Sequence, residues 1–298
     1  MDVEFSKSSK IMALEEPQFA SHTLLVDLSK GLENVPVKIP ADLYHTSAMD
    51  FEYTVENVSG PGCQQDPSEL TLGGCDCGVL SCGLHCSCVQ NFGQNFDDDS
   101  CLLEITLNSA SLYVKPTFEC NGSCRCGDIC KNRVVQNGIN IPLLVFKTKS
   151  KGLGLRALET IRKGQFVCEY AGEILGRSEA KLRTDAKSIE EMNYLLVLKE
   201  HAGKDMTVTY IDPTNFGNVG RFINHSCNPN LEVIPVRVNN ETPRAALFAR
   251  RDIAVGEELC YSYHGDLKLT QDISTNSKPC FCDSDKCRKY LPHNLFAF

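Results

Sequence analysis

The sequence predicts a mainly β protein flanked by cysteine-rich zinc-binding modules. Two observations carry this expectation. Short β-branched and aromatic runs, split by Gly, Asn, Asp or Pro, fill the chain after about residue 141. Seventeen cysteines, most of them closely spaced, lie mainly on either side of those runs. At 298 residues and 42% hydrophobic content, the chain can hold two compact domains, or one large domain with small appendages.

Composition excludes several classes. No apolar run approaches the roughly 18 residues of a membrane span, and no basic-then-apolar N-terminus is present, so a soluble intracellular protein is expected. A secreted disulfide scaffold is opposed by the odd cysteine count and by C-x-C spacings, whose members rarely bond each other and point to metal. The formal net charge of −8 disfavours nonspecific nucleic-acid binding and suits a basic peptide partner, although solubility alone explains an acidic surface equally well.

In chain order, residues 1–62 read as a packed N-terminal extension with a strand near Thr23 to Leu28. Residues 63–140 form a cysteine module so poor in apolar side chains that metal is needed to fold it. Residues 141–266 contain PLLVFK, LGLRAL, QFVCEYA, NYLLVL, TVTYID, LEVIPVRV and RAALFARR, read as strands of small sheets. The polar stretch from Arg177 to Met192 reads as helix. Residues 267–298 are a polar linker followed by a last cysteine cluster.

The first cluster supplies Cys75, Cys77, Cys82, Cys86 and Cys88, then Cys120, Cys124, Cys126 and Cys130. Three tetrahedral zinc ions need twelve ligand positions, so nine thiolates suffice if three of them bridge pairs of ions. Such a cluster is anionic and calls for backbone N–H groups and cations around the bridging sulfurs, with Arg125, Lys131 and Arg133 placed in sequence to help. His85 is a rival ligand that the count does not require. The last cluster, Cys280, Cys282 and Cys287, leaves one zinc a ligand short, to be completed by His264, His293 or a distant cysteine. Cys227, isolated in the stretch RFINHSCNPN, is the best candidate, since it ties the tail to the segment most suited to function. Cys63, Cys101, Cys168 and Cys260 remain free, and the last two pack as small hydrophobes in strand-like runs.

Nine cysteines, then GLGLRA, CEYAGE, GNVGRFINHSCNPN and ELCYSYHGD, then C-x-C-x4-C, resemble the SET-domain protein lysine methyltransferases with pre-SET and post-SET zinc modules. The likeness runs from about Cys75 to Cys287. It implies a SET-domain fold of small curved sheets with a pseudoknot, three zinc ions in the pre-SET cluster, one in the post-SET site completed by Cys227, and S-adenosylmethionine as cofactor, released as S-adenosylhomocysteine. More narrowly, the likeness is to a SET domain that occurs fused to a mariner-type transposase. DNA contact is expected only through such a fused domain, which these residues lack, and no membrane contact is expected.

Methyl transfer to lysine is an in-line displacement on an amine whose reference pKa lies near 10.4. The resemblance implies that Tyr263 is the catalytic tyrosine and that Tyr170 and Tyr194 line the lysine channel. Tyr261 occupies a Phe/Tyr switch position, where a hydroxyl favours mono- and dimethylation over trimethylation. Lys151, Gly152, Leu153 and Gly154, with Arg221, Asn224, His225 and Phe281, are the implied cofactor contacts; Leu153 stands where many relatives have Trp. His225 is expected to act through backbone and packing, and Glu169 is either a channel residue or the polar member of a strand. The implied substrate is a basic lysine-containing peptide, most naturally a histone tail, which places the protein in the nucleus, on chromatin. The rival readings are a catalytically inactive, zinc-stabilised protein-binding module and a DNA-binding zinc protein. The latter lacks both a basic stripe and finger spacing.

Overall fold

The computed structural model describes residues 24–78, 82–103, 116–188, 191–202, 205–263 and 278–291. Among these residues the strands are β1 Leu25–Asp27, β2 Val37–Pro40, β3 Glu52–Tyr53, β4 Val58–Ser59, β5 Thr117–Phe118, β6 Leu143–Lys147, β7 Leu153–Ala157, β8 Phe166–Glu169, β9 Gly172–Leu175, β10 Leu196–Ala202, β11 Asp205–Gly217, β12 Asn224–His225, β13 Leu231–Arg237, β14 Arg244–Ala249 and β15 Glu258–Tyr261. They build three sheets, ordered β1-β2-β6-β7-β15-β12, β10-β11-β9-β4 and β5-β13-β14-β8, with β3 pairing β11.

The first sheet positions the site. β6 and β7 form a hairpin, with Lys147 opposite Leu153 and Phe146 opposite Gly154. Its turn contains Gly152 at φ +72, a conformation that costs glycine little and a side-chain-bearing residue more. Leu143, Leu144 and Val145 are all buried, as expected of a strand covered on both faces. The N-terminal stretch covers its edge: β2 pairs parallel to β6 and alternates, with Val37 and Ile39 inward and Lys38 outward. At the far edge, β12 lies parallel to β15, Asn224 opposite Cys260 and His225 opposite Tyr261. This pairing brings the NHSC and YSY segments side by side. Residues 264–277, with His264, and residues 292–298, with His293, lie outside the described residues.

The main hydrophobic core fills the space between the sheets with Leu155, Val167, Ile211, Ile223, Leu247 and Leu259, among others. Residues 75–130 have a different interior. Among the described residues there, Cys75, Cys86, Cys88, Cys120, Cys126 and Cys130 form a buried cluster of thiols, while Phe96 and Leu102 join a separate apolar cluster. Around the thiols run the short helix α2 (Ser87–Phe92) and β5.

The helix expected from Arg177 to Met192 is shorter, Arg177–Asp185 (α3, after the four-residue α1 Ala41–Tyr44 and α2). Its Glu, Ala, Lys, Leu and Arg residues favour helix locally, and tertiary contacts fix its place. Arg183 binds Glu173 (2.7 Å), Asp212 (3.0 Å) and Glu179 (2.8 Å). Just beyond the helix, Lys187 turns inward to Thr214 Oγ1 (3.2 Å) and the Tyr194 ring. Burying the lysine against these partners ends the helix earlier than local propensity suggests.

Candidate active site and zinc centres

Sulfurs bound to one tetrahedral zinc at about 2.3 Å stand about 3.8 Å apart. Cys75–Cys82, Cys82–Cys120 and Cys88–Cys124 are separated by 3.6, 3.6 and 3.7 Å, and Cys120–Cys130 by 4.0 Å. The thiols fall into overlapping groups: Cys75, Cys82, Cys86 and Cys120; Cys75, Cys88, Cys120 and Cys124; and Cys82, Cys120, Cys126 and Cys130. Cys75, Cys82 and Cys120 are the recurring members, and each pair of groups can be bridged by one of them. Cys77 interacts with Cys86, Cys82 and Cys75, which makes it the fourth thiol of the first group once Cys120 serves the other two. Nine thiols thus fit three zinc ions, with these three bridging.

Compensation of the cluster's charge is local. Cys124 Sγ accepts from the backbone N–H groups of Cys75 (3.3 Å) and Asn121 (3.2 Å), and Cys120 Sγ from Asn132 Nδ2 (3.5 Å). Of the three cations, Arg133 alone is buried there and donates to Cys126 Sγ (3.5 Å). Arg125 and Lys131 pair with Asp76 and Asp98 at the surface. His85 is exposed and belongs to no thiol group.

The second centre is formed by Cys227, Cys280, Cys282 and Cys287. The distant cysteine therefore completes it, with Cys227 Sγ 3.9 Å from Cys280 Sγ. Cys227 also accepts the Arg288 N–H (3.3 Å).

Next to this centre the tyrosines converge. The Tyr263 hydroxyl donates to the Ile223 carbonyl (2.9 Å), and the Tyr170 hydroxyl to that of Tyr194 (2.6 Å). The Tyr261 hydroxyl hydrogen-bonds to that of Tyr170. Ring centroids of Tyr261 and Tyr263 are 4.8 Å apart, and those of Tyr170 and Tyr261 6.1 Å. Burial pushes the pKa of all three phenols well above the ordinary tyrosine value. They remain neutral hydroxyls that donate and accept hydrogen bonds, and none serves as a ready base.

The expected cofactor contacts gather at the other side of β12. Asn224 uses both Nδ2 hydrogens, one to the Leu153 carbonyl and one to Glu258 Oε1 (3.0 Å each), leaving its side-chain oxygen to accept from an ammonium group. Lys151 Nζ reaches the other Glu258 oxygen (2.7 Å). Gly154 sits against Asn224 and Glu258, so closely that a Cβ there would lie 3.0 Å from Glu258 Oε1. Beside them opens a groove of about 1040 Å³, lined by Thr148, Lys151, Glu258, Cys282 and Asp283 and walled by Leu24 and Pro40–Leu43. Phe281, between two thiols of the second centre, is half-exposed.

Arg221 is buried, with its guanidinium 4.1 Å over the Phe51 ring and 4.3 Å over the Tyr194 ring. Its Nε and Nη1 have no hydrogen-bond partner. Stacking between two rings fixes the plane of the guanidinium, and its Nε and Nη1, on different edges of the group, are buried donors that a ligand acceptor can satisfy. Together with the Asn224 oxygen, this donor set fits the amino-acid end of S-adenosylmethionine.

Sequence reasoning missed Glu258 and Phe51. Glu258 precedes Tyr261 in ELCY, where strand alternation sets it on the face opposite the tyrosine, a legible signal. Phe51 lies in the N-terminal stretch and carried none. Glu169 proves to be the polar member of a strand: it faces Arg244 (3.4 Å) and borders a cavity of about 150 Å³ with Glu33 and Glu56.

Comparisons with known proteins agree with this geometry. The SET domain family matches residues 152–264 and the Pre-SET motif residues 29–133. The chain is 44% identical over 300 residues to the histone-lysine N-methyltransferase SETMAR of Mus musculus, covering 97% of this chain and 96% of the mouse protein. The crystal structure of the methyltransferase domain of human SETMAR superimposes with a TM-score of 0.78 at 44% identity, covering 89% of this chain and 97% of that domain. Kryptonite, solved with DNA, an H3(1-15) peptide and S-adenosylhomocysteine, superimposes with a TM-score of 0.70 at 27% identity, over 93% of this chain and 55% of its own. The chain belongs to the SET-domain family of histone-lysine N-methyltransferases.

Proposed function

We propose that this chain transfers methyl groups from S-adenosylmethionine to a lysine side chain in a histone tail, stopping mainly at mono- and dimethylation. The observation that carries the reading is the gathering of three buried neutral phenols with Arg221, stacked on Tyr194, close in the chain to Asn224, which is held by Leu153 and Glu258. Bound there, the cofactor supplies a methyl group on a sulfonium centre.

The residues do the rest. Arg221 and Asn224 hold the amino-acid end, and the Lys151–Glu258 pair fixes Asn224. The glycines of the β6–β7 turn let backbone approach, Leu153 packs beside it, and Phe281 covers the adenine. Tyr170, Tyr194 and Tyr263 strip water from the lysine stem, which lowers the amine's pKa by desolvation. Their anchored hydroxyls orient its lone pair for in-line attack. The Tyr261 hydroxyl occupies space that a third methyl would need. The nine pre-SET cysteines hold three zinc ions, and Cys227, Cys280, Cys282 and Cys287 the fourth. In this division residues 1–62 are an extension, 63–140 the pre-SET module, 141–266 the catalytic domain and 267–298 linker and post-SET module, and the protein works in the nucleus on chromatin.

The test is radiolabelled methyl transfer to core histones by the intact chain and by Tyr263→Phe. Label is expected from the intact chain, with a drop of about 100-fold in the variant, the cost of a misplaced reacting group. Both proteins should contain the same zinc. An intact chain that binds neither S-adenosylmethionine nor delivers label would support the inactive binding module.

A further inference from the structure

His225 sits between the two centres. It is 3% exposed, its Nδ1 accepts the backbone N–H of Tyr263 (3.1 Å), and its Nε2 lies 3.3 Å from Cys227 Sγ. An amide N–H can only donate, so Nδ1 must carry the lone pair and the neutral ring must bear its proton on Nε2. That proton points at the sulfur of a zinc ligand. The ring also packs against Tyr263, with centroids 5.3 Å apart, and strand pairing holds it opposite Tyr261.

We propose that His225 is a positioning residue that ties the post-SET zinc centre to Tyr263, donating from Nε2 to the Cys227 thiolate and accepting the Tyr263 N–H at Nδ1. A hydrogen bond to a metal-bound sulfur orients the ligand and tunes its basicity. The opposite nitrogen fixes the backbone that carries the Tyr263 hydroxyl. Filling the post-SET site with zinc orients Cys227, Cys227 orients the imidazole, and the imidazole sets Tyr263. A histidine that merely filled space would need neither a fixed tautomer nor a sulfur partner. The role of Tyr263 in this scheme rests on the methyltransferase reading, whereas the bond to Cys227 does not.

Two substitutions separate the ends of the relay. In His225→Asn the amide oxygen takes the place of Nδ1, but nothing reaches Cys227. In His225→Gln a longer amide can reach Cys227 but does not accept from Tyr263. Zinc release to a chelator from the fully loaded chain is expected to quicken by about 10-fold or more for the one post-SET ion in His225→Asn, the usual scale for loss of such a partner. The three pre-SET ions should leave at the unchanged rate and report that the variant is folded. His225→Gln should keep its post-SET zinc and lose methyl transfer. Nitrogen NMR of the intact, zinc-loaded chain should find the His225 proton on Nε2, with the signal moving when the post-SET zinc is removed.

A proton on Nδ1, or a post-SET zinc that leaves His225→Asn as slowly as the intact chain, would overturn the relay. Should His225→Asn lose its pre-SET zinc and fail to fold, the tautomer measurement decides alone. If the intact chain proves unable to methylate, zinc release and the tautomer still decide the bond to Cys227, so the two readings fail separately.

Discussion

On the proposed reading, the Tyr261 hydroxyl sets the product. Its ring is buried against Tyr170 and Tyr263, and its hydroxyl caps a chain that runs through Tyr170 to the Tyr194 carbonyl. Removing that oxygen leaves the ring packing intact and frees about one water's volume near the amine. Tyr261→Phe is therefore expected to shift the product from mono- and dimethyl-lysine towards trimethyl-lysine, read by mass spectrometry of a histone peptide. An unchanged product distribution would remove Tyr261 from the specificity determinants. The tyrosine motifs were legible because YSYHGD and CEYAGE carry their residues within a few positions. The clamp on Arg221 was not: Phe51 and Tyr194 approach it from far away in sequence, and nothing in either local stretch announces a partner.

At the scale of elements, β8 and β14 pair with Glu169 opposite Ala246, which sets Glu169 near Arg244. Burial, opposed by Arg244, pushes the Glu169 carboxyl up to about 7 from an ordinary 4.5. Between those values the folded chain holds a proton that the unfolded chain has released, so stability falls as pH rises through the window. The fall attributable to this group is on the order of 3 kcal/mol at most. Glu169→Gln should flatten the decline of the melting temperature between about pH 5 and pH 7, in thermal melts followed by circular dichroism. A variant as pH-sensitive as the intact chain would place the titration elsewhere. The strands themselves were readable from their alternation and β-branched content. The short pairs β3 and β4 were not, because two residues offer no period to detect and their pairing depends on β11 and β9 being in place.

Across the whole molecule the two zinc centres differ in how they are held. Six of the nine pre-SET thiols are buried, in an arrangement that suits three ions sharing bridging sulfurs, while Cys227, Cys280, Cys282 and Cys287 are all partly exposed. About four zinc ions per chain are expected by elemental analysis. A strong chelator should remove one quickly with the fold retained, and three slowly with loss of structure in the cysteine module, followed by zinc release and circular dichroism together. Release of all ions in a single phase would contradict this division. The N-terminal stretch also belongs to this scale: it supplies β1–β4, the Phe51 ring and a wall of the groove beside Lys151 and Glu258, although by sequence it reads as a packed extension with a single strand, the one observed as β1.

The sequence by itself determined the chemistry. Thiol number and spacing set the metal and the count of sites, the glycine turn and the Asn-His and tyrosine motifs set the reaction, and alternation set most strands. Tertiary structure alone decided which thiols bridge, which cation compensates them, what grips Arg221, and that one imidazole spans both centres. The physical reason is range. Ligand type and backbone conformation follow from neighbours a few bonds away, whereas each of those contacts joins segments whose relative placement exists only once the sheets have formed and the cores are packed.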